Sequence, residues 1–320
     1  VLAAISIDLD ETHHYRAIHG LPPLGEVARR RSGPGSGHEA YDVAVDRALA
    51  FAREHKIALT FFAVGDDLAR AENAERLRRA VLAGHVVESH SMSHRYDLSR
   101  SPRHELVQEV AASFEAIRAV VGRRPAGFRA PGYVVTDAVF DALEEVGASF
   151  DSSVFPCPAY WGAKALVMGA MAVRGRASAS IVGSPRALLS PLDPYVPGRP
   201  YTRRGGRSLV EIPILVTRWG RLPVIGTTLA LAGEHGARAL IAACGRPRAW
   251  NVELHAMDFL DASDGLADLA PHQPELRVPL AKRLRALAAT VRALEDRAQR
   301  FTTLADVACL AMEDAREPLA

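Results

Sequence analysis

Two aspartates two residues apart, Asp8 and Asp10, and two histidines four apart, His90 and His94, are residue types that bind divalent cations. In an extended strand, side chains two apart point to one side, so SIDLDE presents both carboxylates together, with Glu11 out of phase. Just past a strand end, one such carboxylate can sit on a metal while its neighbour stays free as a base. The phrase ESHSMSH, residues 88–94, brings its two rings to one face if the segment is helical or tightly turned. Two neutral imidazoles, one carboxylate and a water form a common zinc shell with an open position. Each pair also has a plainer reading. Acidic residues cap strand ends, and histidines among serines sit on surface turns. His85 reads as structural, while His13, His14 and His19 stand in or beside a mobile loop, outside the main clusters.

Two further phrases carry chemistry. In FRAPGY, Pro131 and Gly132 force an irregular backbone after Arg129, which can aim an amide N–H at a developing oxyanion. Arg129 is suited to hold a carboxylate such as Asp8. In VELHAMDF, His255 follows an apolar run, and a histidine there suits a general acid, with Asp258 to orient it or pair with its charge. Read alone, the first is an ordinary Pro-Gly turn and the second a satisfied histidine at a strand end.

These phrases need a scaffold that gathers them. Short apolar runs such as LAAISIDL, IALTFFAVG and HVVESH alternate with helical patterns such as YDVAVDRALAFAREH and SPRHELVQEVAASFEAIRAVVG, the latter stopped by Gly122. A repeating β-α pattern with right-handed crossovers gives a parallel sheet or barrel, with functional residues at the strand C-terminal ends. All four phrases fall at such ends. Two segments break the rhythm: 20–39, rich in Gly, Pro and Arg, and 156–208, read as a long irregular insertion within a single domain spanning 1–320. In the insertion, Tyr160, Trp161, Tyr195 and Tyr201 could stack on a sugar ring or simply pack the segment.

The chain has 320 residues, 48% of them hydrophobic, enough for a sizeable core. A formal net charge of +2 argues against a dedicated nucleic-acid binder, and the arginines scattered through helices read as solvated faces. Cys157, Cys244 and Cys309 are far apart and form no disulfide framework. No stretch reaches the ~18 apolar residues of a membrane span. The opening VLAAISIDLD has no signal-peptide pattern, so the expected location is cytoplasmic.

Taken together and in order, SIDLDE, TFFAVG, GHVVESHSMSH, FRAP and ELHAM resemble the polysaccharide deacetylase family, also called NodB-homology proteins or carbohydrate esterase family 4. The resemblance covers about residues 1 to 155 and 209 to 310. It implies a distorted (β/α) barrel of the polysaccharide deacetylase type. It also implies hydrolysis of an N-acetyl group on an amino sugar of a polysaccharide, glycolipid or sugar precursor. Asp10, His90 and His94 would ligate the metal, with Zn²⁺ the default and Co²⁺ or Ni²⁺ alternatives. Asp8 would be the general base, supported by Arg129, and His255 the general acid. The amide of Gly132 or Tyr133 would hold the oxyanion. Two departures stand out: Leu9 separates the aspartates, which are adjacent in most of the family, and Gly132 intervenes between the proline and its usual aromatic. Rival readings are a deformylase or another C–N amide hydrolase on this scaffold, or a non-catalytic carbohydrate-binding protein.

Overall fold

The computed structural model describes residues 1–26, 31–173, 175 and 178–316. Its centre is β1 (Leu2–Asp8), with all seven residues buried, as expected of a parallel strand covered on both faces. A short helix α1 (Thr12–Ile18) follows directly. His13 and His14 therefore stand on a helix that His19 caps, beside the 20–39 stretch. A π-helical turn at Ala40–Val45 runs into α2 (Asp46–His55), which leads to β2 (Leu59–Ala63). Then come α3 (Ala71–Leu82), β3 (Val86–Ser89), α4 (Arg103–Val121), β4 (Gly127–Phe128), α5 (Asp137–Val146) and β5 (Phe150–Asp151). Gly122 ends α4 at φ +76°, a left-handed cap that a side chain would strain.

The 156–208 stretch is not irregular throughout: it holds a sixteen-residue helix, α6 (Pro158–Val173). The rhythm resumes with β6 (Val210–Glu211), α7 (Gly226–Ala243), β7 (Ala249–His255), α8 (Leu280–Glu295), β8 (Arg300–Thr302) and α9 (Leu304–Arg316).

All strand pairs are parallel, in the order β6-β5-β4-β3-β2-β1-β7, with β8 beside β1. β1 pairs with β8 over Leu2–Ala4 and with β2 over Ile5–Asp8, so the strand bottom and top have different neighbours. The sheet curls until its ends nearly meet. Leu215 N donates to Asn251 O at 3.1 Å, and Ile225 bridges Glu253, which joins the chain after β6 to β7. This is a distorted barrel whose strand C-termini share one rim. The largest core cluster fills the space between β1, β2, β7 and helices α2, α7 and α8, around Phe61, Trp250 and Leu254. The three cysteines are free. Among the described residues, no helix is long and apolar enough to cross a membrane.

Candidate active site

Asp8 ends β1, and Leu9 N still donates to Phe62 O at 2.9 Å, so the backbone stays extended past the strand. Leu9 turns into the core at 1% exposure, while Asp8 and Asp10 face the rim. A leucine between the two acids thus anchors them to the core.

His90 extends β3 by donating its amide to Ala63 O at 2.9 Å. His94 arrives by a tight turn. Ser91 and His94 both take left-handed φ, +67° and +53°. The turn is held by hydroxyls: Ser91 N donates to Ser89 Oγ at 3.2 Å, and His94 N to Ser91 Oγ at 2.9 Å. The loop after β2 clamps it from outside, with Gly65 N and Asp66 N donating to the Ser91 and Met92 carbonyls at 3.0 and 2.8 Å. A Cβ on Gly65 would come within 2.4 Å of Met92 Sδ and 3.3 Å of its Cα, so a side chain here would displace Met92. The serines between the two histidines are therefore the scaffold of the turn.

Asp10 Oδ1 lies 3.2 Å from His90 Nε2 and 3.2 Å from His94 Nε2. Burial alone would push the Asp10 carboxyl up, but the two imidazoles outweigh it and hold it well below the usual range. His90 Nδ1 lies 2.8 Å from the Arg129 carbonyl, which can only accept, so that nitrogen carries the proton and Nε2 offers its lone pair. Asp8 Oδ2, Asp10 Oδ1 and His94 Nε2 are buried without hydrogen-bond partners. Orphaned acceptors around one point are costly unless a cation satisfies them, so this donor set fits a divalent ion. Among the described residues, two other groups bring donors within 4.8 Å of each other: His13, His14 and Asp67, and Asp8, Glu253 and His255. The first includes the exposed His13 on α1. In the second the imidazole turns its Nδ1 to Glu253 Oε1 at 2.9 Å and its Nε2 toward the Tyr133 hydroxyl at 3.3 Å.

That imidazole is His255, the last residue of β7 and the register partner of Asp8 on β1. Burial would lower its pKa, but the Glu253 charge, then Asp8 and Asp10, raise it well above the ordinary histidine value. Glu253 Oε1 sits 2.9 Å from His255 Nδ1. The carboxylate that faces the ring is thus Glu253. Asp258, expected to pair with it, instead accepts the His255 backbone amide at 2.9 Å. Glu253 was readable in VELH: it is two residues before His255 on an extended strand, hence on the same face.

Arg129 is fully buried and donates to Asp8 Oδ1 at 2.7 Å. Its other bonds go to Ser6 Oγ, Ser152 Oγ and Ser152 O, at 2.9, 2.9 and 2.8 Å. The guanidinium lies over the Phe62 ring at 4.1 Å. This fixes one oxygen of Asp8 and leaves Oδ2 toward His90, 3.9 Å from Nε2.

Residues 37–150 match the family model described as Polysaccharide deacetylase. The chain is similar to the polysaccharide deacetylase family over that segment. It is 23% identical over 154 residues to a peptidoglycan deacetylase of Helicobacter pylori, covering 48% of this chain and 50% of that protein. It is 35% identical over 95 residues to a chitooligosaccharide deacetylase of a Bradyrhizobium species, covering 29% of this chain and 42% of that one. The chain thus matches half or less of the length of these curated relatives. A Mycobacterium smegmatis structure assigned to the polysaccharide deacetylases superposes with a TM-score of 0.61 at 20% identity, over 99% of this chain and 92% of that one. This likeness extends the shared fold across the barrel, beyond the segment that the family model matches.

Within this deacetylase fold the site opens into a cavity of about 300 Å³. Asp8, Asp10, His90 and His255 form its floor, and Gly132, Tyr133 and Tyr160 line its side. Of the two amides considered for the oxyanion, that of Tyr133 donates to Ala130 O at 3.0 Å and is committed to the turn. Tyr133 presents its hydroxyl instead, 3.3 Å from His255 Nε2. Of the four insertion aromatics, Tyr160 alone is among the residues lining this cavity. Trp161 Nε1 donates to Gly183 O, Tyr195 Oη to Tyr201 O, and Tyr201 stacks on Phe140, so these three pack the segment. Lys164, missed in the sequence, lines the cavity and donates to Gly132 O at 3.1 Å, with burial pushing its pKa down to about 8. The His14 ring lies 4.1 Å from that of His94, tilted by 44°, and burial lowers its pKa to about 2, which keeps it neutral. Glu11 turns away from Asp10, toward His38 and Asn73.

Proposed function

We propose that this chain is a metal-dependent hydrolase that removes an N-acetyl group from an amino sugar of a polysaccharide, glycolipid or sugar precursor. The observation that carries this reading is the convergence of Asp10, His90 and His94 about one point, beside an Asp8–His255 pair set in register on neighbouring strands. Peptidoglycan and chitooligosaccharide deacetylases among the relatives support the reaction class.

Asp10, His90 and His94 would hold the ion, with Zn²⁺ suited to two imidazoles and a carboxylate and Co²⁺ or Ni²⁺ accepted by the same donors. When bound, such an ion supplies Lewis-acid polarisation of the amide carbonyl and a more acidic water. Asp8, through Oδ2, takes the proton as water oxygen bonds to the acetyl carbon. Arg129 keeps Asp8 from rotating, so the base meets the nucleophile in one orientation. The Gly132 amide is the proposed oxyanion donor, a role worth ~3 kcal/mol in well-studied hydrolases. His255 then gives its proton to the departing nitrogen as the C–N bond breaks, leaving acetate and a free amine. Glu253 keeps that imidazole charged until the transfer, and the Tyr133 hydroxyl orients its Nε2 side.

The test is metal analysis of the purified chain beside acetate release from N-acetylated sugars, free, polymeric and lipid-linked. Substoichiometric metal, or an Asp10→Ala variant that retains it, would remove the ligand assignment. Formate in place of acetate would move the chain to a deformylase. Tight sugar binding without release of either would leave a carbohydrate-binding protein.

A further inference from the structure

We propose that the face carrying α6 and the 216–223 hairpin docks on a bilayer with anionic headgroups, which presents the sugar of a lipid-linked substrate to the cavity. The substrate half rests on the deacetylase reading; the docking half stands without it.

The first observation is an unpartnered apolar helix. α6 reads PAYWGAKALVMGAMAV, with Lys164 its sole charge, yet Met171 is its only buried residue. Leu166 and Val173 are 74% and 89% exposed. Val167 is 52% exposed while also lining the cavity, so the outer apolar surface is continuous with the wall of the site. A helix apolar on all sides belongs in a core or in lipid, and this one has water on its outer face. At 1.5 Å per residue it is about 24 Å long, short for a span and suited to lying in the interface.

The second observation is a hairpin built to expose a tryptophan. Val216 bridges Pro223, and Thr217 N donates to Leu222 O at 2.9 Å, which leaves Trp219 at the tip, 83% exposed. Arg218 and Arg221 flank it, the former 5.9 Å from the ring. Arg221 reaches back to the Leu188 carbonyl, beside the exposed Leu189, which ties the hairpin to the segment after α6. Indole rings beside cationic side chains favour the headgroup level of a membrane.

The third is charge. Residues 152–233 hold ten Lys and Arg against two acids, Asp193 and Glu211, whereas the whole chain is nearly balanced at 39 against 37. Glu211 is buried and faces inward, next to Asp151. Arg199 and Arg207 are paired with α5 carboxylates, but Arg186, Arg218 and Arg221 have no acidic partner among the described residues. Aliphatic surface beside cations that have no acidic partner matches a layer that is apolar beneath and anionic above. A second copy of the chain would set this positive face against itself, and a neutral polymer gives no reason to exclude acids.

The full chain would be sedimented with vesicles of phosphatidylcholine alone or mixed with phosphatidylglycerol. Binding is expected only to the mixed vesicles, weakening as salt rises. Leu166→Asp and Trp219→Asp should each reduce it by about tenfold while leaving acetate release from a short soluble N-acetylated sugar unchanged. An independent Arg186→Glu, Arg221→Glu pair should reduce it without altering the apolar face. No binding by the parent chain, binding untouched in all these variants, or a solution dimer dissolved by Leu166→Asp would overturn the docking surface. Vesicle binding without acetate release would keep the surface and remove the deacetylase reading; release without binding would do the reverse.

Discussion

The rim of the barrel and the wall above it are built on opposite principles. At the rim, the groups that set the geometry are held by named partners: Arg129 by four bonds, the His90–His94 turn by two serine hydroxyls and two backbone clamps. Among the atoms left unsatisfied are Asp8 Oδ2, Asp10 Oδ1 and His94 Nε2, which a cation would meet. On the α6 wall, one lysine bond to Gly132 and one tryptophan bond to Gly183 are the specific polar contacts of the helix side chains with the rest of the chain. Reaction chemistry tolerates little displacement of its groups. A wall that recognises through apolar surface can slide or be resized while the floor keeps its geometry. Rim substitutions should therefore abolish chemistry or stability, and wall substitutions should change recognition alone.

The largest effect is expected from Asp10→Ala or His94→Ala. Each removes one of three donors, so metal content and turnover should fall together, with activity lower by about three orders of magnitude. Elemental analysis and acetate release on the same sample check this. Full metal content in either variant would break the contrast at its strongest point.

Arg129→Met comes next, and its effect should be on stability as well as rate. It leaves the Asp8 charge buried without its partner, a change that costs about 3–5 kcal/mol in comparable sites. Urea unfolding would read this as a lower midpoint at unchanged slope. A midpoint shift below about 1 kcal/mol would mean that the buried ion pair does not hold the rim together.

How far the sequence led follows the same division. The pairing of Asp8 with Asp10 was legible because a strand has period two, and Asp8, Arg129 and His255 fell at strand ends in an α/β rhythm. The spacing of His90 and His94 was visible, but not the turn that joins their rings. That turn depends on Ser113 and Gly65, distant in the chain, and on two left-handed residues that carry no glycine. Asp258 was named and Glu253 was not, because a neighbour in sequence after a strand looks close; the chain turns there, and the strand face decides instead. The helix α6 was hidden for a different reason. An all-round apolar helix has no 3.6-residue alternation to detect, and the Gly, Pro and Ser content of 156–208 as a whole pointed to loop. The four aromatics there were visible as a group, but sequence could not tell the one facing the cavity from the three that pack.

A smaller effect should come from Glu253→Gln. The Glu253 charge raises the His255 pKa, so the acid form persists above its ordinary value of 6.5 and is lost as pH rises through the raised one. Removing the charge lowers that pKa, and the alkaline limb of kcat should move to lower pH with metal content intact. Stability follows the same sign: what the protonated His255 contributes is fully present below 6.5 and disappears as pH rises through the folded-state value. Stability and rate measured against pH on both proteins would test it. An unmoved alkaline limb would place the proton donor elsewhere, with Tyr133 the next candidate.

The smallest effect, and the sharpest use of the contrast, belongs to Val167→Ala. The side chain is half in the cavity wall and half in solvent, so deleting two methyl groups removes less than the ~1.6 kcal/mol that full burial of both would give. The expected result is KM raised by a factor of about two to five for substrates with an apolar moiety, with kcat, metal content and unfolding midpoint at parent values. For a short hydrophilic sugar KM should not change, because nothing on such a substrate would meet the missing methyls. A drop in kcat with equal KM would show that α6 helps to place the reacting atoms, and the division between a fixed floor and an adjustable wall would no longer describe the molecule.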